Sequence, residues 1–151
     1  MSDPLYKKEL LRLAADAAGA GRLPHPDVTG EAFNPTCGDR VTVDLALKDG
    51  RVETMAHETK ACVLAQASAS ILGSALKGAR QEDVEALAND LAAMLVTKAA
   101  PPAPPFEDYA AFEGATEHRN RHRCVLLPVE AVLAAFEASE TGEPGGVGAK
   151  R

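Results

Sequence analysis

The stretch Asn34-Pro35-Thr36-Cys37-Gly38-Asp39-Arg40-Val41-Thr42-Val43-Asp44-Leu45-Ala46-Leu47-Lys48-Asp49-Gly50 decides the fold. In its second half Val41, Val43, Leu45 and Leu47 recur at every other position, the period of a strand with one buried face. Asp49-Gly50 supplies two residues that tolerate positive φ, and residues 51–57 resume a strand through Val52 and Met55. Two such runs about Asp-Gly predict a β-hairpin. The first half is turn chemistry, with Pro35 and Gly38 bending the chain, and residues 29–33 read as a short strand leading into it.

On either side the period changes. Residues 4–18 place Leu5, Tyr6, Leu10, Leu11, Leu13 and Ala17 at helical spacing, ending before Gly19 and Gly21, and Pro24 and Pro26 make a loop. From Ala61 onward, Cys62, Val63, Leu64, Ala67, Ile71, Leu72 and Ala75 fit a buried helix rich in small residues. Residues 81–98 predict another, with acidic residues in its first turn. The run 99–105, with four prolines, is an extended connector, and 106–112 a short helical turn. Leu126, Val129, Val132, Leu133 and Phe136 mark a last helix, with Pro128 placed in its first turn, where the missing N–H does no harm. Residues 140–151 hold four glycines and no apolar cluster, and read as a flexible C-terminal tail behind one domain spanning 1–139. Three strands with these helices define an α+β fold, a three-stranded antiparallel sheet packed against a layer of helices.

Composition narrows the function. The 151 residues are 46% apolar and carry a net charge of −6, a poor balance for gripping a phosphate backbone, so nucleic acid is not an expected partner. The longest uncharged stretch, 61–76, contains three serines and is too short and polar to span a bilayer. No basic region followed by an apolar core opens the chain, so a cytoplasmic protein is expected. Three cysteines cannot all pair within one chain, and a reducing compartment would keep them as thiols.

Cysteines that form no disulfide are most often small buried hydrophobes, and Cys37, Cys62 and Cys124 each admit that reading. Their neighbourhoods point to chemistry instead. Cys37 and Asp39 lie two residues apart in a tight turn, and thiolate and carboxylate are both metal ligands. Cys62 begins a predicted helix, where unpaired N–H groups favour thiolate over thiol. Cys124 follows the basic run His118-Arg119-Asn120-Arg121-His122-Arg123 at the start of the last helix. Three thiols and one carboxylate make the ligand count of a four-coordinate metal. His25, His57 and His118 read as surface residues, and Ser68 and Ser70 as small residues that let their helix sit close to the sheet.

The run 34–39, then Cys62 followed by Ala67-Ser68-Ala69-Ser70, then a late cysteine opening the final helix, resembles the U-type iron–sulfur cluster assembly scaffolds, the NifU N-domain/IscU/SufU family. The resemblance covers roughly residues 5–138 in order and spacing. It implies that Cys37, Asp39, Cys62 and Cys124 hold Zn2+ or a [2Fe-2S] type iron–sulfur cluster, with Cys37 and Cys124 as candidate sulfur acceptors. It further implies a cysteine desulfurase and apo iron–sulfur recipient proteins as partners, and a carrier that receives sulfur and passes on a nascent cluster. The alternative implied is a zinc-dependent sulfur acceptor, a sulfurtransferase that stimulates the desulfurase. Arg123 stands where the IscU branch carries a histidine directly before the third cysteine, which makes the SufU-like branch the nearer one. The family's two glycines ahead of the second cysteine are replaced here by Thr59 and Ala61.

Overall fold

The structure is a computed structural model that describes residues 8–36, 38–116 and 118–141 and the backbone of 145–147. Its elements run α1 (Lys8–Asp16), β1 (Val28–Asn34), β2 (Asp39–Lys48), β3 (Arg51–Lys60), α2 (Val63–Ala75), α3 (Gln81–Thr97), a 3-10 helix (Glu107–Ala115), α4 (Arg119–Thr141) and β4 (Gly145–Val147). β1, β2 and β3 form the expected antiparallel sheet, paired Val41 with Ala32 and Thr59, and Val43 with Gly30 and His57. Asp49 and Gly50 both take positive φ at the hairpin tip, as a two-residue turn requires.

Side chains at alternate positions of the sheet face the helices. Val41, Val43 and Leu45 are fully buried there, and the same row ends at Asp39, at the start of β2. α4 crosses this face over β1 and β2, with α2 and α3 packed against it, and α1 lies against α2. One apolar cluster joins the layers, from Leu10 through Leu64, Ile71 and Leu72 to Leu87, Leu91, Leu95 and Phe112. Each such side chain contributes roughly 1.5–3 kcal/mol by leaving water. Glycine permits two close approaches. A Cβ at Gly30 would collide with the α4 backbone at Ala131 and Ala135, and one at Gly73 with the Ala18 carbonyl. No helix among the described residues is long and apolar enough to cross a membrane.

Four details differ from the sequence expectation. α4 starts at Arg119 rather than near Leu126, so Pro128 lies inside it and Cys124 in its second turn rather than at its opening. Burial of Val125, Leu127, Val129, Val132 and Phe136 outweighs the one helical hydrogen bond that Pro128 cannot donate. The segment expected as a tail from residue 140 is helical to Thr141, and residues 145–147 add a short parallel strand beside Gly30, Glu31 and Ala32. The 3-10 helix runs to Ala115 and buries Tyr109 and Phe112. His57 is 4% exposed, not a surface residue. Its Nε2 donates to the Ala18 carbonyl at 2.9 Å and its Nδ1 meets the Thr59 hydroxyl at 2.9 Å, so it ties β3 to the segment after α1. Desolvation lowers its pKa despite the Ala18 contact, which keeps the ring neutral.

The outer face of the sheet is pinned by Asp44, which is fully buried. Its carboxylate accepts from Arg22 Nε at 2.7 Å and Nη2 at 3.0 Å, from the Thr29 hydroxyl at 2.7 Å and from the Leu23 amide at 3.1 Å. Burial alone would raise its pKa, but these donors together lower it. A carboxyl whose folded pKa lies below the unfolded value of about 3.9 contributes stability above that pH and loses it as pH falls through the folded value. Replacing Asp44→Asn is expected to cost on the order of 2–3 kcal/mol at pH 7. Urea titrations at pH 7 and pH 3.5 check this, because the gap between wild type and variant should narrow at the lower pH.

Candidate metal centre

Three elements end at one point. β2 begins with Asp39 on the helix-facing row, α2 begins immediately after its N-cap Cys62, and the second turn of α4 carries Cys124. The donor atoms of Asp39, Cys62 and Cys124 all lie within 4.8 Å of one another. Asp39 Oδ2 is 3.7 Å from the Cys124 thiol and 3.5 Å from the Cys62 amide, which donates toward it. Donors around a tetrahedral zinc with Zn–S bonds of ~2.3 Å stand ~3.8 Å apart, so three of the four expected ligands are gathered close to that spacing. Asp39 and Cys62 are half-buried and Cys124 is 3% exposed. The fourth expected ligand, Cys37, lies outside the described residues.

The connection between β1 and β2 is shaped by Asn34, a residue the sequence reading passed over apart from its place in the expected turn. Asn34 is buried, its Oδ1 accepts from the Thr36 amide at 3.1 Å and its carbonyl accepts from the Gly38 amide at 2.8 Å. Asn34 also pairs with Asp39 across the strands, which closes the loop, and Gly38 takes the positive φ of +77° that closure requires. The signal was in the dipeptide Asn34-Pro35, since an Asn side chain readily caps the turn that a following proline begins. Thr59 and Ala61, standing in place of the family's glycines, take no positive φ. β3 runs through Thr59 to Lys60 opposite Val41 and Arg40, so this backbone does not call for glycine.

The Cys62 thiol is acidified by its neighbours. The Cys62 pKa is lowered to about 6, first because the Cys124 thiol hydrogen-bonds to it, with the amides of Ala65 and Leu64 adding to the effect. Burial and the Asp39 carboxylate oppose the shift without cancelling it. At neutral pH Cys62 is therefore a thiolate, the form that attacks sulfur and binds metal. The neighbouring basic residues point elsewhere. Arg123 reaches the Phe33 carbonyl and Glu130, both at 3.5 Å, and bridges α4 to the end of β1. His122 Nε2 donates to the carbonyls of Ala115 and Thr116 at 3.0 and 3.1 Å, which turns its ring toward the 3-10 helix. Arg40 stacks on Phe33 at 4.9 Å and sits on the opposite face of β2 from Asp39.

A fold of three antiparallel strands and four helices with thiols and a carboxylate at one end defines a class that known proteins share. The family described as "NifU-like N terminal domain" matches residues 5–122, and the chain belongs to that family. The zinc-dependent sulfurtransferase SufU of Bacillus subtilis is 26% identical over 140 residues, covering 93% of this chain and 95% of SufU. The iron–sulfur cluster assembly scaffold protein IscU of Thermotoga maritima is 34% identical over 83 residues, 55% of this chain and 58% of that protein. A crystal structure of a nitrogen-fixing NifU-like protein (N-terminal) from Brucella abortus superimposes with a TM-score of 0.87 at 33% identity, covering 92% of this chain and 96% of that one.

In metal-free protein, alkylation of Cys62 by iodoacetamide should rise with pH about a midpoint near 6. Removing the donor by Cys124→Ala should move that midpoint upward by about a unit or more, read by mass spectrometry of the labelled peptide. An unmoved midpoint would mean that the two thiols do not share a proton.

Proposed function

We propose that this chain is an iron–sulfur cluster assembly scaffold that receives sulfur from a cysteine desulfurase and gives up a nascent cluster to apo-proteins. The single observation that carries the reading is the gathering of Asp39, Cys62 and Cys124 donors within 4.8 Å at the meeting point of β2, α2 and α4. Cys37 completes the set in this proposal, two residues before Asp39 in a turn whose neighbours Thr36 and Gly38 are exposed. Two soft thiolates and a hard carboxylate fit both zinc and a cluster that must later leave, since carboxylate oxygen matches iron–sulfur clusters less well than thiolate does.

The chain's own residues then have separable roles. Cys62 supplies a thiolate at neutral pH, and Cys124, buried beneath it, supplies the proton that holds that charge. Asp39 stands beside both and lends the weaker bond. For sulfur transfer, the Cys37 thiolate attacks the outer sulfur of the desulfurase persulfide. A new S–S bond forms at Cys37, the old one breaks, and the desulfurase thiolate leaves with the electron pair. Cys124, the other candidate acceptor, is 3% exposed, so a donor meets it only after its cover moves. A metal bound here would keep the thiols deprotonated and shielded between transfers.

A second reading, a zinc-bound sulfurtransferase, is favoured by the match to SufU, which spans nearly the whole of both chains. Metal analysis of protein purified without oxygen separates the two. Iron with acid-labile sulfide is the outcome expected of a scaffold, tightly held zinc with a persulfide on Cys37 that of a sulfurtransferase, and neither would reject both. If Asp39 makes a loaded cluster labile, Asp39→Ala should slow its transfer to an apo-ferredoxin by roughly ten-fold, followed by visible absorbance. An unchanged rate would remove Asp39 from that role.

A further inference from the structure

The helices that bring Cys62 and Cys124 together are joined by a buried polar contact. Ser68 on α2 is fully buried, and its hydroxyl donates to the Val125 carbonyl on α4 at 2.7 Å. The same hydroxyl lies 2.9 Å from the Tyr109 hydroxyl of the 3-10 helix, which also reaches the Ser68 carbonyl at 3.1 Å. Because the Ser68 proton is committed to Val125, the Tyr109 O–H is the donor in that pair, shared between the two oxygens of Ser68. Tyr109 is itself fully buried, with its pKa raised by desolvation, so its proton stays in place.

The position of this contact matters more than its strength. Val125 follows Cys124 directly, and Pro128 in the next turn has no N–H with which to brace residue 124 from within the helix. The turn that carries the Cys124 thiol is thus held partly from outside, by Ser68. On the other side, Ser68 lies six residues beyond Cys62, about 9 Å along a rigid helix. A hydrogen bond between the two helices this close to both sulfurs sets how far α4 slides and turns relative to α2, and hence the sulfur-to-sulfur spacing. Packing alone would hold the helices together, but apolar side chains tolerate small sliding motions that a directional bond does not.

We propose that Ser68, oriented by Tyr109, is a positioning residue for the metal centre, fixing the distance between the Cys62 and Cys124 sulfurs from a site that touches neither. The inference rests on the reading of Asp39, Cys62 and Cys124 as a metal site, and it concerns how that site is tuned. Its test uses the full chain with Zn2+ and Co2+ alone. Zn2+ affinity is measured by competition with a chelating dye, and the Co2+ complex by the intensity and position of its visible bands, which report tetrahedral thiolate geometry.

Ser68→Ala is expected to fold, since alanine suits a buried helical position, and to bind Zn2+ about ten- to a hundred-fold more weakly with altered Co2+ bands. Tyr109→Phe keeps the Ser68–Val125 bond and should show a smaller loss in the same direction. A melting temperature lowered in either variant, with Zn2+ affinity and Co2+ bands unchanged, would show a merely structural role and overturn the inference. Should Ser68→Ala not fold, the same two readouts on Tyr109→Phe decide the matter. Wild-type protein that binds neither ion would overturn the metal site and this inference together, whereas wild-type binding matched by both variants overturns the inference alone.

Discussion

Helix α4 rests against β1 backbone to backbone, because residue 30 has no side chain to hold it away. Nearly everything at the site follows from that approach. β1 runs on into the turn that returns as Asp39, so the distance between β1 and α4 sets the distance between Asp39 and the thiol that α4 carries. The observed 3.7 Å between Asp39 Oδ2 and Cys124 Sγ is possible only with the two backbones this close. A methyl group at residue 30 would collide with the α4 backbone at Ala131 and Ala135 and push the helix outward, and the carboxylate and sulfur would part with it. The second close approach, of Gly73 to the Ala18 carbonyl, does the same for α2. It seats α2 beside the segment after α1, where Ser70 accepts the Ala18 amide and His57 binds the Ala18 carbonyl.

The parts of this arrangement that were legible in the sequence are those governed by local periodicity. Val41, Val43 and Leu45 alternate, and they form the buried row of β2. Asp49-Gly50 reads as a hairpin tip and is one. The start of α4 was not legible, because Arg119, Arg121 and Arg123 present no apolar stripe and Pro128 suggests a first turn. What makes that segment helical is tertiary: His122 anchors it to the 3-10 helix, and the residues after Cys124 are buried against the sheet and α3. The burial of His57 was hidden for a related reason. It follows from a partner 39 residues away, which no pattern around His57 discloses. Gly145 and Gly146 offer no side chain from which a strand could be read.

At the site, residue types were legible and geometry was not. That Cys62 would begin a helix follows from the apolar run behind it, and the helix-end amides contribute to its low pKa as expected. The larger contribution is the thiol of Cys124, 62 residues away in sequence, and only the packing of α2 on α4 reveals it. The serines of α2 show the same limit. As small residues they were expected to ease packing against the sheet, and they do permit a close fit. Their hydroxyls, however, are spent on α4 and on the segment after α1, so they act as directed contacts and not only as gaps.

Two aspartates on β2 show how the fold separates a structural carboxylate from a chemical one. Asp44 and Asp39 share a strand and a residue type, but their positions differ by an odd number, so they face opposite sides of the sheet. Asp44 is closed off by four strong donor contacts at 2.7–3.1 Å, and its lone pairs are consumed in holding the segment that includes Arg22 and Leu23. Among the described residues, Asp39 is met by a long N–H contact from the Cys62 amide and by the Cys124 sulfur at 3.7 Å. The Cys62 and Cys124 sulfurs lie within 4.8 Å of its carboxylate oxygen, close enough for the three to share a cation. A carboxylate held by position yet sparingly hydrogen-bonded keeps its oxygen available to a cation. That difference in saturation among the described residues, more than residue identity or burial, sets Asp39 apart from Asp44 as the carboxylate with an oxygen open to a cation.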